Sequence, residues 1–221
     1  MPIFDDNVKK QLTELLGSLK NPVKVLFFTQ EFECPSCRDN HDFINELSDM
    51  SDKISLEVYD FVKDKETAEK YGIDKIPAML VTNETGTDTG IRFFGIPGGY
   101  EINSFLTALN EVSGAGEQLP KDIVERIKKI DKDIHVEVFI TLTCPYCPQA
   151  VATAHRIALE NPRIKADMVE SSTFQHLSIK NDVSSVPKIV INEMYEFIGA
   201  QPISAFLDQM EKDRKSTRLN S

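Results

Sequence analysis

The four cysteines of this 221-residue chain fall into two copies of one spacing, Cys34-Pro35-Ser36-Cys37 and Cys144-Pro145-Tyr146-Cys147. Thiols three residues apart close a small disulfide ring when the chain turns between them. A thiolate on the first can attack an external disulfide, and the second can resolve the mixed disulfide that forms. An apolar run that reads as a strand precedes each pair, Val23 to Phe28 and His135 to Ile140, and a helical pattern follows. A helix N-terminus carries unsatisfied N–H groups and a partial positive charge, which favour thiolate over thiol. Cys34 and Cys144 are therefore expected to be the exposed nucleophiles, with Cys37 and Cys147 as resolving partners. Pro35 and Pro145 suit a first helical turn, where a missing N–H costs nothing.

The elements that must position these pairs also come twice. Residues 5 to 20 place Leu12, Leu15, Leu16 and Leu19 on one helical face, and a helix over 119 to 133 repeats the spacing with Ile123, Ile127 and Ile130. After each cysteine pair come a helix, a strand (residues 54 to 59; residues 164 to 169), a polar stretch and a hairpin (Ala78 to Thr82 with Ile91 to Phe94; Lys188 to Ile191 with Tyr195 to Ile198). Each unit ends in a helix, the first at about Glu101 to Val112, and Ser113-Gly114-Ala115-Gly116 reads as the linker. The expected division is 1–115 and 116–214, with 215–221 a non-native tail that matches nothing in the first unit.

The repeat is quantitative. Cys34 precedes Pro77 by 43 residues, and Cys144 precedes Pro187 by 43. A proline opening a strand cannot donate to a ladder, so Ile76-Pro77 and Val186-Pro187 are candidate cis bonds. Facing the nucleophile, each leaves the backbone of Ile76 or Val186 free to pair with a substrate peptide, and Tyr146 is placed to contact the same substrate.

These residues resemble the thioredoxin and glutaredoxin superfamily. Tyr71-Gly72-Ile73 with Ile76-Pro77 looks like thioredoxin, and Cys144-Pro145-Tyr146-Cys147 has the glutaredoxin form. Two such units in one chain are similar to the protein disulfide oxidoreductases of thermophilic archaea and bacteria. The resemblance implies an α/β fold of two tandem thioredoxin-like units, each a mixed β-sheet flanked by helices. It implies a dithiol–disulfide exchange enzyme with no cofactor beyond its redox-active disulfides, acting on disulfide-containing proteins and drawing electrons from a thioredoxin-reductase-like flavoprotein. It further implies that the C-terminal pair carries most of the reductase activity.

Charge points the same way. Glu31, Glu33, Asp39 and Asp42 crowd Cys34 and disfavour its thiolate, whereas Thr141, Leu142, Thr143 and Gln149 add no charge near Cys144. Cys144 is thus expected to be the more reactive. A net charge of -10 argues against nucleic acid as a partner. No apolar run reaches the length of a membrane span, and with no basic leader visible at the start a cytoplasmic location is expected. Two other readings stand beside the enzyme: a non-catalytic interaction module, and a four-cysteine zinc site. The 106 residues between Cys37 and Cys144 do not suit a zinc ribbon. Glu137, in the strand before Cys144 where thioredoxins bury an acid, reads as an exposed alternate position, and His41, His155 and His176 as surface or satisfied helix residues.

Overall fold

The computed structural model describes residues 3 to 219. Its first half runs α1 (Asp6–Leu16), β1 (Val23–Thr29), α2 (Cys37–Ser48), β2 (Ile54–Asp60), α3 (Lys65–Tyr71), β3 (Ala78–Asn83), β4 (Ile91–Phe94) and α4 (Ile102–Val112). The second half repeats the series as α5 (Lys121–Lys128), β5 (Ile134–Ile140), α6 (Cys147–Glu160), β6 (Ile164–Glu170), α7 (Gln175–Lys180), β7 (Lys188–Ile191), β8 (Tyr195–Ile198) and α8 (Ile203–Leu219). The backbone of α8 continues into the expected tail, whose last two residues lie outside those described.

Side chains alternate across each strand, and this sorts the helices. Val25 and Phe27 join a large core with residues of α1, α2, α4, α5, α6 and α8, whereas Leu26 and Phe28 join a smaller one under α3 and α7. The first helix stops short of its expected end and turns at Gly17, so Leu12, Leu16 and Leu19 are buried while Leu15 is 57% exposed.

The two units do not keep separate sheets. They share one eight-stranded mixed sheet in the order β2-β1-β3-β4-β6-β5-β7-β8, joined where β4 runs parallel to β6 with Ile91 opposite Ala166 and Phe94 opposite Val169. The sequence of β4 explains the fusion. Ile91, Arg92, Phe93 and Phe94 are all buried, which a solvent-facing edge strand could not tolerate, whereas its counterpart β8 alternates half-buried and exposed residues at a true edge. Phe93 packs on Phe105 of its own half at 5.0 Å between ring centroids and on His155 of the other at 4.7 Å. Truncating it opens a cavity in a core common to both halves. Phe93→Ala is expected to cost about 3 to 5 kcal/mol and to lower the midpoint of one joint unfolding transition, measured by denaturant melting.

Candidate functional site

β1 and β5 run parallel to each other, each also being parallel to the strands at the seam, so both cysteine pairs emerge at the same end of the sheet. Both helices that follow lie on the same face. Four strand spacings separate β1 from β5, roughly 19 Å, far too great for one pair to exchange directly with the other.

Each pair is closed as a disulfide, Cys34–Cys37 with Cα atoms 5.3 Å apart and Cys144–Cys147 with Cα atoms 5.5 Å apart. The helices begin at Cys37 and Cys147, so Pro35 and Pro145 occupy the preceding turn and not the first helical turn. The first cysteine of each pair still faces the unsatisfied N–H groups of its helix. Within each pair it is also the more accessible: Cys34 is half-buried over Cys37 at 3%, and Cys144 is 8% exposed over Cys147 at 0%. Cys144 is thus more covered than the sequence suggests. The Val186 carbonyl lies 3.9 Å from its sulfur, a packing contact because a disulfide sulfur has no proton to donate. No such contact joins Cys34 to Ile76 among the described residues, since the approach to Cys34 is one residue longer.

Ile76-Pro77 and Val186-Pro187 are both cis. Ile76 and Val186 are half-buried and the prolines buried; the Pro77 carbonyl accepts from Gly95 N–H at 3.1 Å and that of Pro187 from Gly199 N–H at 2.8 Å. Tyr146 stands 69% exposed beside Cys144, and Pro145 is exposed with it.

Glu137 is a correction. It is 8% exposed, not an exposed alternate residue, because β5 is interior, flanked by β6 and β7 of its own half, and this face of it is covered. Burial raises the affinity of its carboxyl for a proton. It shares a face with Phe139 and Val190 under α7, opposite to α6, so it does not lie beneath Cys147. It sits opposite Asp167, whose carboxylate is 2.7 Å from His135 Nε2 and 3.8 Å from Lys75 Nζ of the other half. His155 is also a core residue. Burial pushes its imidazole down to about 4, and Nε2 meets the Arg92 carbonyl at 3.2 Å.

A buried acid of the N-terminal half lies on a turn that packs against the C-terminal unit. Glu101 closes a short 3-10 turn, Gly99–Glu101, that packs against α6. Its carboxyl is wholly buried, and desolvation, outweighing a hydrogen bond from the Ser104 hydroxyl, pushes it up to about 7. Oε1 has no protein partner. The turn is pinned to the loop before Cys144, because Tyr100 N–H donates to the Leu142 carbonyl at 3.0 Å. Gly99 lies in the left-handed region, φ 56°, and a Cβ there would come within 2.3 Å of the Leu142 oxygen. The sequence reading names Glu101 only as the start of the closing helix and gives it no role; the Gly98-Gly99 pair before it is the available signal of a close approach. Gly99→Ala is expected to push the Leu142 loop away and slow exchange at Cys144 by tenfold or more. Exchange at Cys34 should stay unchanged, read by single-site assays in which the other pair is replaced by serine.

Known proteins place this geometry. Residues 134–212 match the family model described as a thioredoxin domain. The structure superimposes on the F subunit of alkylhydroperoxide reductase from Enterococcus faecalis (C503A mutant) with a TM-score of 0.88 and 30% identity, covering 94% of this chain and 99% of that one. The chain belongs to the thioredoxin superfamily. Another member, a protein disulfide oxidoreductase from Aeropyrum pernix, superimposes with a TM-score of 0.88 at 28% identity, over 96% of this chain and 94% of that one. Among curated relatives, the F subunit of alkyl hydroperoxide reductase from Staphylococcus aureus is 31% identical and an NADH dehydrogenase of Bacillus subtilis 29% identical, each over 86% of this chain. The chain spans 34% of the length of these curated relatives. Among the described residues no group of three or more His, Cys, Asp or Glu is arranged to hold a metal, and no helix is long and apolar enough to cross a membrane.

Proposed function

We propose that the chain is a thiol–disulfide oxidoreductase acting on protein disulfides, organised as units 1–115 and 116–214 that each carry one Cys-x-x-Cys pair. The observation that carries this reading is the repeated constellation itself: a closed disulfide at the start of a helix, placed at the end of a parallel strand and followed 43 residues after its first cysteine by an Ile-Pro or Val-Pro step that opens a strand. A structural disulfide needs neither the helix N-terminus nor the proline.

In the C-terminal unit the Cys144 thiolate attacks one sulfur of the substrate disulfide and expels the other as a thiolate. The substrate backbone pairs with Val186 beside Pro187, and Tyr146 and Pro145 border the docked segment; Ile76 and Pro77 serve Cys34 in the same way. Cys147 must then lose its proton to attack the mixed disulfide. The turn carrying Glu101 packs against α6 and is hydrogen-bonded to the loop before Cys144, and on that placement its buried carboxyl, pushed up to about 7, is the group proposed to take that proton in the direction of reduction and return it in the direction of oxidation. Re-reduction requires an external donor. A thioredoxin-reductase-like flavoprotein fits, supported by resemblance to relatives named for NADH oxidation and hydroperoxide reduction.

Insulin-disulfide reduction with dithiothreitol, run with a zinc determination on the purified protein, tests the reading. Turnover well above the dithiothreitol background, with no stoichiometric zinc, is the expected outcome. An inert protein holding one zinc per chain would refute it.

A further inference from the structure

The two cysteine pairs share one fold, so the chain supplies its own control for what differs around them. The loop before Cys144 has three residues, Thr141, Leu142 and Thr143, and carries no charge; the loop before Cys34 has four, Gln30 to Glu33. That longer loop and the end of β2 enclose a cleft of about 580 Å³ that has Cys34, Cys37 and His41 in its wall, with three acids, Glu31, Asp60 and Asp64, around it against one cation, Arg38. A second cleft of about 310 Å³, reaching Phe32 and Val62, shares Gln30, Glu31 and Asp60 with the first.

Two features of this groove go unused within the chain. Phe32 and Val62 are 75% and 69% exposed, and Val58 on β2 is 46% exposed. Glu31 and Glu33 have no hydrogen bond or ion pair among the described residues. Asp60, in contrast, is occupied by the Val62 and Lys63 N–H groups and the Lys63 ammonium. Counterparts of Asp60 and Asp64 in the second unit confirm the asymmetry: Glu170 is 3% exposed and capped by Ser172 and Thr173, and Phe174 is buried.

We propose that the Cys34–Cys37 site selects disulfide partners whose reacting cysteine is flanked by Lys or Arg and by an apolar side chain. The cations meet Glu31 and Glu33, and the apolar group lies on Phe32 and Val62. This rests on the exchange reading above. The step is the same: the Cys34 thiolate displaces one substrate sulfur, and Cys37 displaces Cys34's partner. Two electrons and two protons pass from the dithiol to the substrate, and dithiothreitol restores the dithiol. The acids that hold a cationic partner also oppose the Cys34 thiolate, so this site gives up general reactivity for selectivity.

The test uses the full chain with Cys144→Ser and Cys147→Ser, so that exchange passes through Cys34 alone. Its substrates are two fluorescence-quenched disulfide peptides, alike except that the cysteine is flanked by Lys in one and Glu in the other. At about 20 mM salt the Lys peptide is expected to show a kcat/KM roughly tenfold higher, with the ratio falling to about twofold near 0.5 M. Adding Glu31→Gln and Glu33→Gln should bring the ratio near one, whatever it does to the absolute rates. A ratio unchanged by those substitutions, or one favouring the Glu peptide, overturns the proposal while leaving the exchange reading intact. No turnover of either peptide overturns the proposal together with the redox role of the N-terminal pair.

Discussion

Cys144→Ser is expected to lower insulin-disulfide reduction at neutral pH by tenfold or more, whereas Cys34→Ser should leave most of it. Two features bear on reactivity in opposite directions. Cys34 is the more accessible, which favours encounter, but Glu31 and Glu33 lie beside it without partners and destabilise its thiolate. Cys144 is 8% exposed, yet its approach is uncharged, the Val186 backbone is already against its sulfur and Glu101 is lodged against its helix. Accessibility is easily regained when the disulfide opens and a substrate strand docks. A fixed negative field is not. Charge therefore decides, and insulin-disulfide reduction reports mainly on Cys144. Activity that survives Cys144→Ser and vanishes in Cys34→Ser would reverse the ranking.

Glu101→Gln should slow turnover through Cys144 by about a hundredfold while making the protein more stable above neutral pH. The rate follows from proton transfer: with a carboxyl at about 7, the reducing rate rises with pH through neutrality as Glu101 becomes a base, and that limb should disappear in the variant. Stability moves the other way. The folded chain holds this proton up to about 7, against an ordinary value of 4.5, so folding is favoured below pH 4.5 and the contribution is lost as pH rises through 7. At pH 8 the native protein buries a carboxylate at a cost of roughly 3 kcal/mol, which the neutral amide avoids. Chemical denaturation at pH 8 beside a pH–rate profile checks both halves. A variant that loses rate and stability together, with its pH profile intact, would mean that Glu101 is only a packing residue.

What the sequence made legible was local. A strand, Cys-x-x-Cys and a helix are encoded within a few tens of residues, and the proline 43 positions on is tied to them by the fold of one unit, so the cysteines and the X-Pro bonds could be found from spacing alone. What it hid depended on how the units meet. The unbroken burial of Ile91 to Phe94 is intelligible only when β6 is known to lie alongside. Glu101 has the position of any helix-start acid; its raised affinity for a proton comes from burial, on a turn that packs against α6 of the other half. Periodicity reports on one element at a time, whereas β4 and Glu101 answer to two.

The most direct measurement is mass-spectrometric trapping. With Cys147→Ser the mixed disulfide formed at Cys144 has no resolving thiol. Incubating the reduced variant with a disulfide peptide should yield a covalent adduct of one peptide half, mapped to Cys144 and released by dithiothreitol. The same variant carrying Cys144→Ser should show no adduct in the C-terminal unit. Failure of Cys144 to form the adduct, with the protein folded and its thiols reduced, would contradict nucleophilic exchange at this pair.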